Sequence, residues 1–481
     1  MKGELLMNIN IKNVGVIQDS SLELKGLTVI TGQNNSGKTT VGKILYSIFS
    51  AKEDLYDDAT RDIIKYAKNK LTQVVRESAL AFFFRRYRIY ANQDEPEENN
   101  SLLNVYRNEF PELNTIEDIQ NYILLLCDEI AQKKYNSLLN QSSRVADVAK
   151  YINEDSFKAE MTVLIEKLHK LVEIVAQLSD FIFYEKTKIF KTMRTEFNNQ
   201  ISPVRIPDNY NTAISLQDKN EFFEIKIDNK SKKTVTTGYL GFEDISNVIF
   251  IDDVTVIDNV SPSFLKYYEQ GKGKYNEGEL SEVIQVIDHK ISLIYKLSST
   301  NDIIESIVSN DSYDKILGSI TNILNDSIVI RDEKFVCSSD NLDIANLAMG
   351  SKLFAILLML ISNGSINEKT LLILDEPEAH LHPSWQNKLA EIIVLLMKQI
   401  GIKILITSHS PNFILALQTY SIKYKVEQEC NFYTTQKKED NYIIDYKRMN
   451  DELTKIYADF AIPFSQIKAI YDALSNGENY D

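Results

Sequence analysis

Residues that interrupt helices are scarce over a long central stretch of the 481-residue sequence. No glycine occurs between Gly42 and Gly238, and no proline occurs between Pro111 and Pro203. Because glycine and proline are the least favourable residues in a helix interior, their absence favours helix. We therefore predict a helical insertion over residues 53–200. Part of it shows the apolar spacing of a long packed or coiled-coil helix, at Val163, Leu164, Leu168, Leu171, Val172, Val175 and Leu178.

The sequence also lacks an apolar run of membrane-spanning length, and we do not expect its first residues to act as a signal peptide. Its three cysteines, Cys127, Cys337 and Cys430, are scattered without the spacing of a metal site. They are typical of reduced thiols in a reducing compartment. We therefore expect a cytoplasmic protein that does not interact with a membrane.

Positive charge is in short supply, since the formal net charge is −15. This weighs against a broad, nonspecific surface for nucleic acid. A local DNA or RNA site remains open, because residues 82–90 (FFFRRYRIY) interleave cations with aromatic side chains. The favoured alternative is an element with one buried aromatic face and a solvated or acid-paired arginine face. A surface for a partner protein is a third interpretation.

Residues 32–39 read GQNNSGKT, the pattern of a phosphate-binding loop. A strand-like run at residues 27–31 precedes the loop, and a helix with apolar residues at helical spacing follows it. Backbone N–H groups in such a loop surround phosphate oxygens, a lysine reaches the β- and γ-phosphates, and a hydroxyl binds Mg²⁺. Lys38 and Thr39 are predicted for the last two roles. The predicted nucleotide-binding residues are Gly32, Gln33, Asn34, Asn35, Ser36, Gly37, Lys38, Thr39 and Thr40.

A second candidate segment lies more than 300 residues further on. The apolar run at residues 371–374 is typical of a strand buried on both faces, and it ends in Asp375 and Glu376. Asp375 is placed to hold Mg²⁺, and Glu376 is placed to polarise an attacking water molecule. The alternative interpretation is a pair of acids that caps the following helix.

Residues 375–383 (DEPEAHLHP) resemble the Walker B and D-loop region of ABC-type ATPases, in the branch that contains RecF, SMC and Rad50 heads and the OLD proteins. The loop at residues 32–39 is similar to that of the same branch, and residues 407–411 (TSHSP) resemble its switch loop. The resemblance implies an α/β fold: an ABC-type ATPase head with a mixed or parallel sheet, flanking helices and a large helical insertion. It also implies ATP and Mg²⁺ as cofactors. His409 would sense the γ-phosphate and act with Glu376 and Lys38 in catalysis.

The signature loop of this branch is matched least regularly, by residues 347–352 (LAMGSK). Gly350 is retained, but Ala348 stands where the family has serine, so Ser351 or Lys352 would have to supply the missing contact. In the family this loop contacts the nucleotide of a second subunit, which implies a homodimer of heads or a higher homo-oligomer. The alternative is the start of a core helix. No Q-loop is assigned, although residues 247–253 lie where one is expected.

The pattern predicts five segments. They are an N-terminal head part (1–52), the helical insertion (53–200), a β-hairpin with return to the head (201–262), a helical segment (263–322) and the C-terminal head lobe (323–481). The hairpin is indicated by two strand-like runs around residues 228–231. A transition-metal site formed by His380 and His382 with the nearby acids is a disfavoured alternative to the D-loop assignment.

The sequence carries no nuclease constellation. The set of motifs resembles the standalone ATPase subunits of anti-phage defence systems such as Septu and PARIS. That resemblance implies an ATPase sensor or scaffold that controls a separately encoded nuclease or toxin. Two alternatives stay open: a RecF-like DNA repair or recombination ATPase, and a nonhydrolysing ATP-gated scaffold in which nucleotide closes the assembly.

Overall fold

The computed structural model describes residues 7–78, 101–132, 154–203, 211–218, 221–228, 234–238, 241, 244–261, 284, 286–299, 311–332, 334–437 and 444–475. The segment 82–90, for which a nucleic-acid site was left open, lies outside these residues. The chain divides into two compact units. The head unit comprises the described residues of Met1–Glu53, Ile189–Lys274 and Val286–Asp481, and the helical unit comprises those of Asp54–Lys188 and Tyr275–Gln285.

The described strands are numbered in chain order. They are β1 (Met7–Val14), β2 (Ile17–Leu24), β3 (Leu27–Thr31), β4 (Thr212–Gln217), β5 (Phe222–Ile227), β6 (Thr234–Gly238), β7 (Asn247–Ile251), β8 (Ile328–Arg331), β9 (Lys334–Cys337), β10 (Thr370–Asp375), β11 (Lys403–Ser408), β12 (Cys430–Lys437) and β13 (Ile444–Arg448). Eleven of them form one mixed sheet in the order β6-β5-β4-β1-β2-β13-β12-β3-β11-β10-β7, and β8 pairs with β9.

The described helices are α1 (Lys38–Phe49), α2 (Leu55–Glu77), α3 (Ser101–Arg107), α4 (Ile116–Gln132), α5 (Glu154–Leu178), α6 (Phe181–Glu196), α7 (His289–Ser298), α8 (Asp311–Leu324), α9 (Met349–Ser362), α10 (Pro383–Leu395), α11 (Pro411–Lys423) and α12 (Leu453–Ser475). Short 3₁₀ turns occur at Val254–Asn259, Ile344–Asn346 and Glu427–Glu429, and a π turn at Leu396–Ile400 continues α10.

The parallel part of the sheet, β12-β3-β11-β10-β7, positions the site. Strands β3, β7, β10 and β11 are largely apolar and buried on both faces, as parallel strands covered by helices require, whereas the second half of β12 is polar. The register pairs Thr31 with Ser408 and Asp375 with Thr407. The carboxyl ends of β3, β10, β11 and β7 therefore meet at one edge of the sheet, where ligands bind in open α/β sheets.

Helices α1 and α9 are buried in the head unit because of their apolar residues. The apolar residues of α1 predicted at helical spacing are all buried: Val41, Ile44, Leu45, Ile48 and Phe49. In α9, the run from Leu353 to Ile361 is buried almost all round, which is typical of a helix enclosed in a core. These two helices anchor the loops that precede them.

The helical unit has a repeating apolar seam along α5. Its buried residues alternate steps of four and three, which is the spacing of a coiled-coil seam: Phe157, Met161, Leu164, Leu168, Leu171, Val175 and Leu178. The seam packs against α2 and α4. Val163 was expected in this stripe but is 43 % exposed. Its place one residue before Leu164 turns it away from the seam.

The predicted hairpin is confirmed, because β5 and β6 pair antiparallel from Phe223–Gly238 to Ile227–Thr234. The predicted fold class is confirmed as well. The chain is an α/β protein with a mixed sheet and flanking helices. In sequence, the helical unit is inserted between segments of the head unit.

Candidate active site

The phosphate loop, residues 32–37, lies between the end of β3 and the start of α1. Asn35 and Gly37 have left-handed backbone conformations, with φ of 59° and 78°, and these turn the loop back on itself. The loop carries the backbone N–H groups of residues 33–37 between β3 and α1. Together with the start of α1, these groups fit an anionic phosphate chain.

A cleft of about 430 Å³ opens at this loop. Most of the predicted nucleotide-binding residues line it: Asn34, Asn35, Ser36, Gly37, Lys38, Thr39 and Thr40. Lys43, Glu196 and Glu376 are among the other lining residues. The structure thus brings the first predicted segment and Glu376 of the second to a single cleft.

Lys38 is folded back into the loop and is only 5 % exposed. Its Nζ donates to the carbonyl oxygens of Gly32 (3.1 Å) and Gln33 (2.9 Å) and lies 3.8 Å from Oε1 of Glu376. Burial lowers the pKa of Lys38, while the charges of Glu376 and Asp375 act in the opposite direction. The loop therefore holds a cation in place at the cleft.

Asp375 joins the two predicted segments. Its Oδ2 accepts a 2.6 Å hydrogen bond from Thr39 Oγ1, and its other oxygen accepts a hydrogen bond from the hydroxyl of Thr407. A carboxylate and a hydroxyl side by side are the oxygen ligands that Mg²⁺ takes in nucleotide sites, where the remaining positions go to phosphate and water. The predicted metal ligands Thr39 and Asp375 therefore fit Mg²⁺.

Glu376 has a left-handed backbone conformation, with φ of 51°, directly after β10. Its N–H donates to the carbonyl of Thr407 at 3.0 Å, so the neighbouring strand holds the turn. Its Oε1 lies 3.0 Å from Nδ1 of His409. A non-glycine residue in this conformation is uncommon and tends to mark a functional position. The turn places Glu376 at the cleft beside Lys38, with His409 in contact with the same carboxylate oxygen.

A buried polar network under the switch loop was not predicted. Oε1 of Glu378 accepts hydrogen bonds from Ser408 Oγ (2.6 Å) and from the N–H groups of His409 (3.2 Å) and Ser410 (3.3 Å). Burial raises the pKa of Glu378, against the effect of these hydrogen bonds. Gln386 extends the network, since its Oε1 accepts from Ser410 Oγ at 2.9 Å. The segment after Glu376 is thereby fixed to the loop that carries His409.

The signature-like residues lie at the start of α9. Ala348 and Met349 are exposed, and Gly350 and Ser351 are half-buried. A Cβ on Gly350 would lie 3.1 Å from the carbonyl oxygen of His380, so α9 approaches residues 380–385 closely at this glycine. Lys352 is buried, and its Nζ contacts Oδ1 of Asp258 at 2.5 Å. Lys352 therefore has an ion-pair partner in its own chain.

His380 and His382 are exposed. His382 is the N-cap of α10, because its Nδ1 accepts from the N–H of Ser384 at 3.3 Å. In the described part of the chain, the residues close enough together to hold a metal ion by His, Cys or carboxylate ligands are Asp326, Cys337 and Asp340, away from this segment. The disfavoured histidine metal site thus has no support in the geometry.

A second unpredicted feature is an imidazole between two carboxylates. His289 begins α7, and its Nδ1 lies 2.7 Å from Oε2 of Glu196 while its Nε2 lies 3.0 Å from Oδ2 of Asp252. Burial alone would lower the pKa of His289, but its contacts with Asp252 and Glu196 outweigh burial and raise it to about 9. Asp252 directly follows β7, within residues 247–253, where a Q-loop is expected but was not assigned from the sequence.

The sequence model of one protein family matches residues 27–416, which is more than half of the chain. This family is described as "AAA domain, putative AbiEii toxin, Type IV TA system". The chain belongs to this family. An AAA-domain ATPase fold agrees with the phosphate loop and with the carboxylates at the end of β10. No curated protein sequence matches the chain.

Several solved structures are similar over most of this AAA-domain chain. The SmcHead bound to the C-winged helix domain of ScpA is 9 % identical, covers 93 % of this chain and 98 % of its own, and gives a TM-score of 0.42. An SMC head domain from Thermotoga maritima is 7 % identical, covers 92 % of this chain and 98 % of its own, and gives a TM-score of 0.37. An ATP-binding cassette of an ABC transporter is 12 % identical, covers 95 % of this chain and 95 % of its own, and gives a TM-score of 0.31. Separately, no helix in the described ranges is long and apolar enough to cross a membrane.

The contacts of His289 with Glu196 and Asp252 predict that the free energy of unfolding depends on pH. A group whose pKa is about 9 in the folded protein and about 6.5 when unfolded stabilises the fold fully below pH 6.5. This stabilisation, up to about 3 kcal/mol, is lost as the pH rises to 9. Denaturant unfolding of wild type and His289→Gln at pH 6.5 and pH 9 measures it. The wild type should lose more stability than the variant over this interval, and equal losses would show that His289 is not charged in the fold.

Proposed function

We propose that this AAA-domain protein binds ATP with Mg²⁺ and hydrolyses it to ADP and phosphate. The observation that carries the proposal is the contact between Thr39 and Asp375, which sets a hydroxyl and a carboxylate beside a phosphate loop. An Asp-Thr pair alone would serve nucleotide binding. Glu376, one residue further on, adds the base that hydrolysis requires.

Each side chain has a role in this proposal. Lys38 would turn from the carbonyls of Gly32 and Gln33 to the β- and γ-phosphates, since oxyanions are stronger acceptors for an ammonium group than carbonyls are. Thr39 and Asp375 would hold Mg²⁺, which neutralises the charge between the β- and γ-phosphates. Glu376 would accept a proton from the attacking water. His409, 3.0 Å from Glu376, would orient that carboxylate and respond to the γ-phosphate.

We infer that the complete site is shared between two copies of the chain. Gly350 and Ser351 belong to a loop that would contact the nucleotide of a partner head, as the ABC resemblance implies. Ser351 is the better candidate for that contact. Lys352 is already paired with Asp258 in its own chain and would have to leave this partner first. In a two-fold homodimer, each copy would use the same surface to complete the nucleotide site of the other copy. Higher homo-oligomers can be built from such dimers.

In the cell, we propose that the protein is the ATPase sensor or scaffold of an anti-phage defence complex, and that it controls a separately encoded nuclease or toxin. This proposal rests on the resemblance of the motifs to such ATPase subunits; the description of the family names a putative toxin and a toxin–antitoxin system. Co-expression with the product of the neighbouring gene, followed by mass measurement with and without ATP, tests this proposal. A stable complex whose composition depends on ATP is the expected result. ATP-dependent DNA binding by the protein alone would favour the repair alternative.

The first prediction of this proposal concerns nucleotide affinity. Lys38→Ala should weaken MgATP binding by about 100-fold or more, because charge-assisted hydrogen bonds of roughly 1.5–3 kcal/mol each are lost. The matched control is Lys43→Ala, a lysine of the same cleft whose Nζ donates to the carbonyl of Glu196 at 2.9 Å. Calorimetry should show a much smaller loss for it. Near-normal affinity of Lys38→Ala would disprove the phosphate-loop assignment.

The second prediction concerns turnover. Glu376→Gln should retain MgATP binding and release phosphate at least ~100-fold more slowly, which is the scale of losing a general base. It should also accumulate the closed, ATP-bound assembly. Glu368→Gln, the same change on an exposed turn before β10, is the control and should keep the wild-type rate. If Glu376→Gln hydrolyses as fast as wild type, Glu376 is not the base and the nonhydrolysing scaffold is favoured.

The third prediction tests the shared site by mixing variants. Ser351→Asp should bind ATP but not hydrolyse it, because a carboxylate would face the γ-phosphate of the partner head. Gly350 is less suitable for this test, since a Cβ there contacts the carbonyl of His380 in the same chain. A mixture of Ser351→Asp and Lys38→Ala should recover part of the activity, because one site of the mixed dimer carries neither change.

A mixture of Lys38→Ala and Glu376→Gln is the control for this experiment. Both changes lie on the same side of the site, so neither site of that mixed dimer is intact and no activity should return. Phosphate release is measured for each variant alone and for both mixtures. A monomer that hydrolyses ATP at full rate at every concentration would overturn the shared site.

A further inference from the structure

The phosphate loop contacts a β-hairpin from the far end of the chain. Strands β12 and β13 form this hairpin, and β12 pairs parallel with β3 up to the pair Thr434–Thr31. The next residue along each strand brings Thr435 beside Gly32, the first residue of the loop. A Cβ built on Gly32 would lie 1.8 Å from Thr435 Oγ1, so the hairpin packs directly against the loop backbone.

The other end of the loop contacts the opposite strand of the hairpin. Tyr446 of β13 donates from its hydroxyl to the carbonyl oxygen of Gly37 at 2.9 Å. Tyr446 is 5 % exposed, and burial raises its pKa, so the hydroxyl stays protonated and remains a donor. Thr435 and Tyr446 are direct partners across the hairpin. One cross-strand pair therefore contacts both the first and the last glycine of the loop.

The carbonyl of Gly37 accepts two hydrogen bonds, from the N–H of Thr40 in the first turn of α1 (3.0 Å) and from Tyr446 (2.9 Å), and together they fix which way the peptide between Gly37 and Lys38 faces. A trans peptide is planar, so its C=O and N–H point in opposite directions. When Tyr446 holds the carbonyl of Gly37, the N–H of Lys38 is directed to the opposite side. Gly37 has φ of 78° and lacks a side chain to restrict it, so the orientation depends on contacts such as this one. A rotated peptide would present a carbonyl oxygen to the phosphate and repel it.

We propose that Tyr446 and Thr435 are positioning residues for nucleotide binding, which hold the phosphate loop in its binding conformation from the β12–β13 hairpin. This inference rests on the proposed binding of ATP. Tyr446 acts through the peptide between Gly37 and Lys38, and Thr435 acts by packing against Gly32. Neither side chain has to contact the nucleotide. Nucleotide affinity would therefore depend on a segment more than 400 residues from the loop in sequence.

The chain offers a matched control for this proposal. Tyr433 lies on the same hairpin and is 4 % exposed, but its hydroxyl accepts from the N–H of Glu23 at 2.9 Å instead of reaching the loop. Tyr433→Phe and Tyr446→Phe each remove one buried hydroxyl from one hairpin. Both should lower the thermal unfolding temperature to a similar extent. Only Tyr446→Phe removes a contact with the phosphate loop.

The experiment measures two properties of wild type and both variants. The first is the Kd for MgATP and MgADP, by calorimetry well below the unfolding temperature. Tyr446→Phe should raise both values about 5- to 10-fold, the effect of losing one hydrogen bond that orients the site. Tyr433→Phe should change them less than 2-fold. Thr435→Ala, which opens space beside Gly32, should weaken binding in the same direction as Tyr446→Phe.

The second property is amide hydrogen exchange of the phosphate-loop peptide without nucleotide. Exchange should be faster in Tyr446→Phe than in wild type, and unchanged in Tyr433→Phe. If the two tyrosine variants alter affinity and exchange equally, the proposal is overturned, since the hydroxyl then only stabilises the hairpin. If wild type binds no MgATP, the nucleotide role fails together with the proposed function. Faster loop exchange in Tyr446→Phe would still show that the hairpin positions the loop.

Discussion

The whole site depends on the carboxylate of Asp375, which connects parts of the chain that are 336 residues apart. It can do so because β3, β11 and β10 are parallel and in register, so that their carboxyl ends lie at the same level. Once Thr39 and Thr407 are both hydrogen-bonded to Asp375, the positions of their neighbours follow. Lys38 precedes Thr39, Glu376 follows Asp375, and His409 lies two residues after Thr407. The register of these strands therefore brings the candidate catalytic side chains together.

Buried charge in the head unit is balanced locally, although the whole chain is strongly acidic. Lys38 lies beside Glu376, Lys352 beside Asp258, and His289 between two carboxylates. Such pairs lose hydration on folding, and unless each partner is in place they destabilise the fold. They therefore specify how helices and loops meet at the site more than they add to stability. The carboxylate of Glu378 illustrates the same principle with neutral donors, because it accepts hydrogen bonds from the switch loop.

Short motifs allowed the loop at residues 32–39, the carboxylates Asp375 and Glu376, and His409 to be predicted from sequence, because strand, loop and helix are adjacent there. The apolar seam of α5 followed from its period, although Val163 was placed on the wrong side. The bridge at His289 and the contact of Tyr446 with Gly37 were not predictable in this way. They depend on the pairing of β13 with β12 and on where α7 begins, and no local pattern marks either. Lys352 shows the same limit, since its partner Asp258 lies in a different element.

The strand order has a consequence for how the chain folds as it is made. Strand β3 is synthesised early, but both of its neighbours, β11 and β12, come from the last part of the chain. The helices α2 to α5 emerge in between and can pack against one another at once. Until β11 is released, β3 has two unpaired edges, and until β12 is released it keeps one; such edges are prone to wrong pairing and aggregation. Contacts of such large sequence separation also form slowly. Completion of the sheet around β3 is thus a late step in folding.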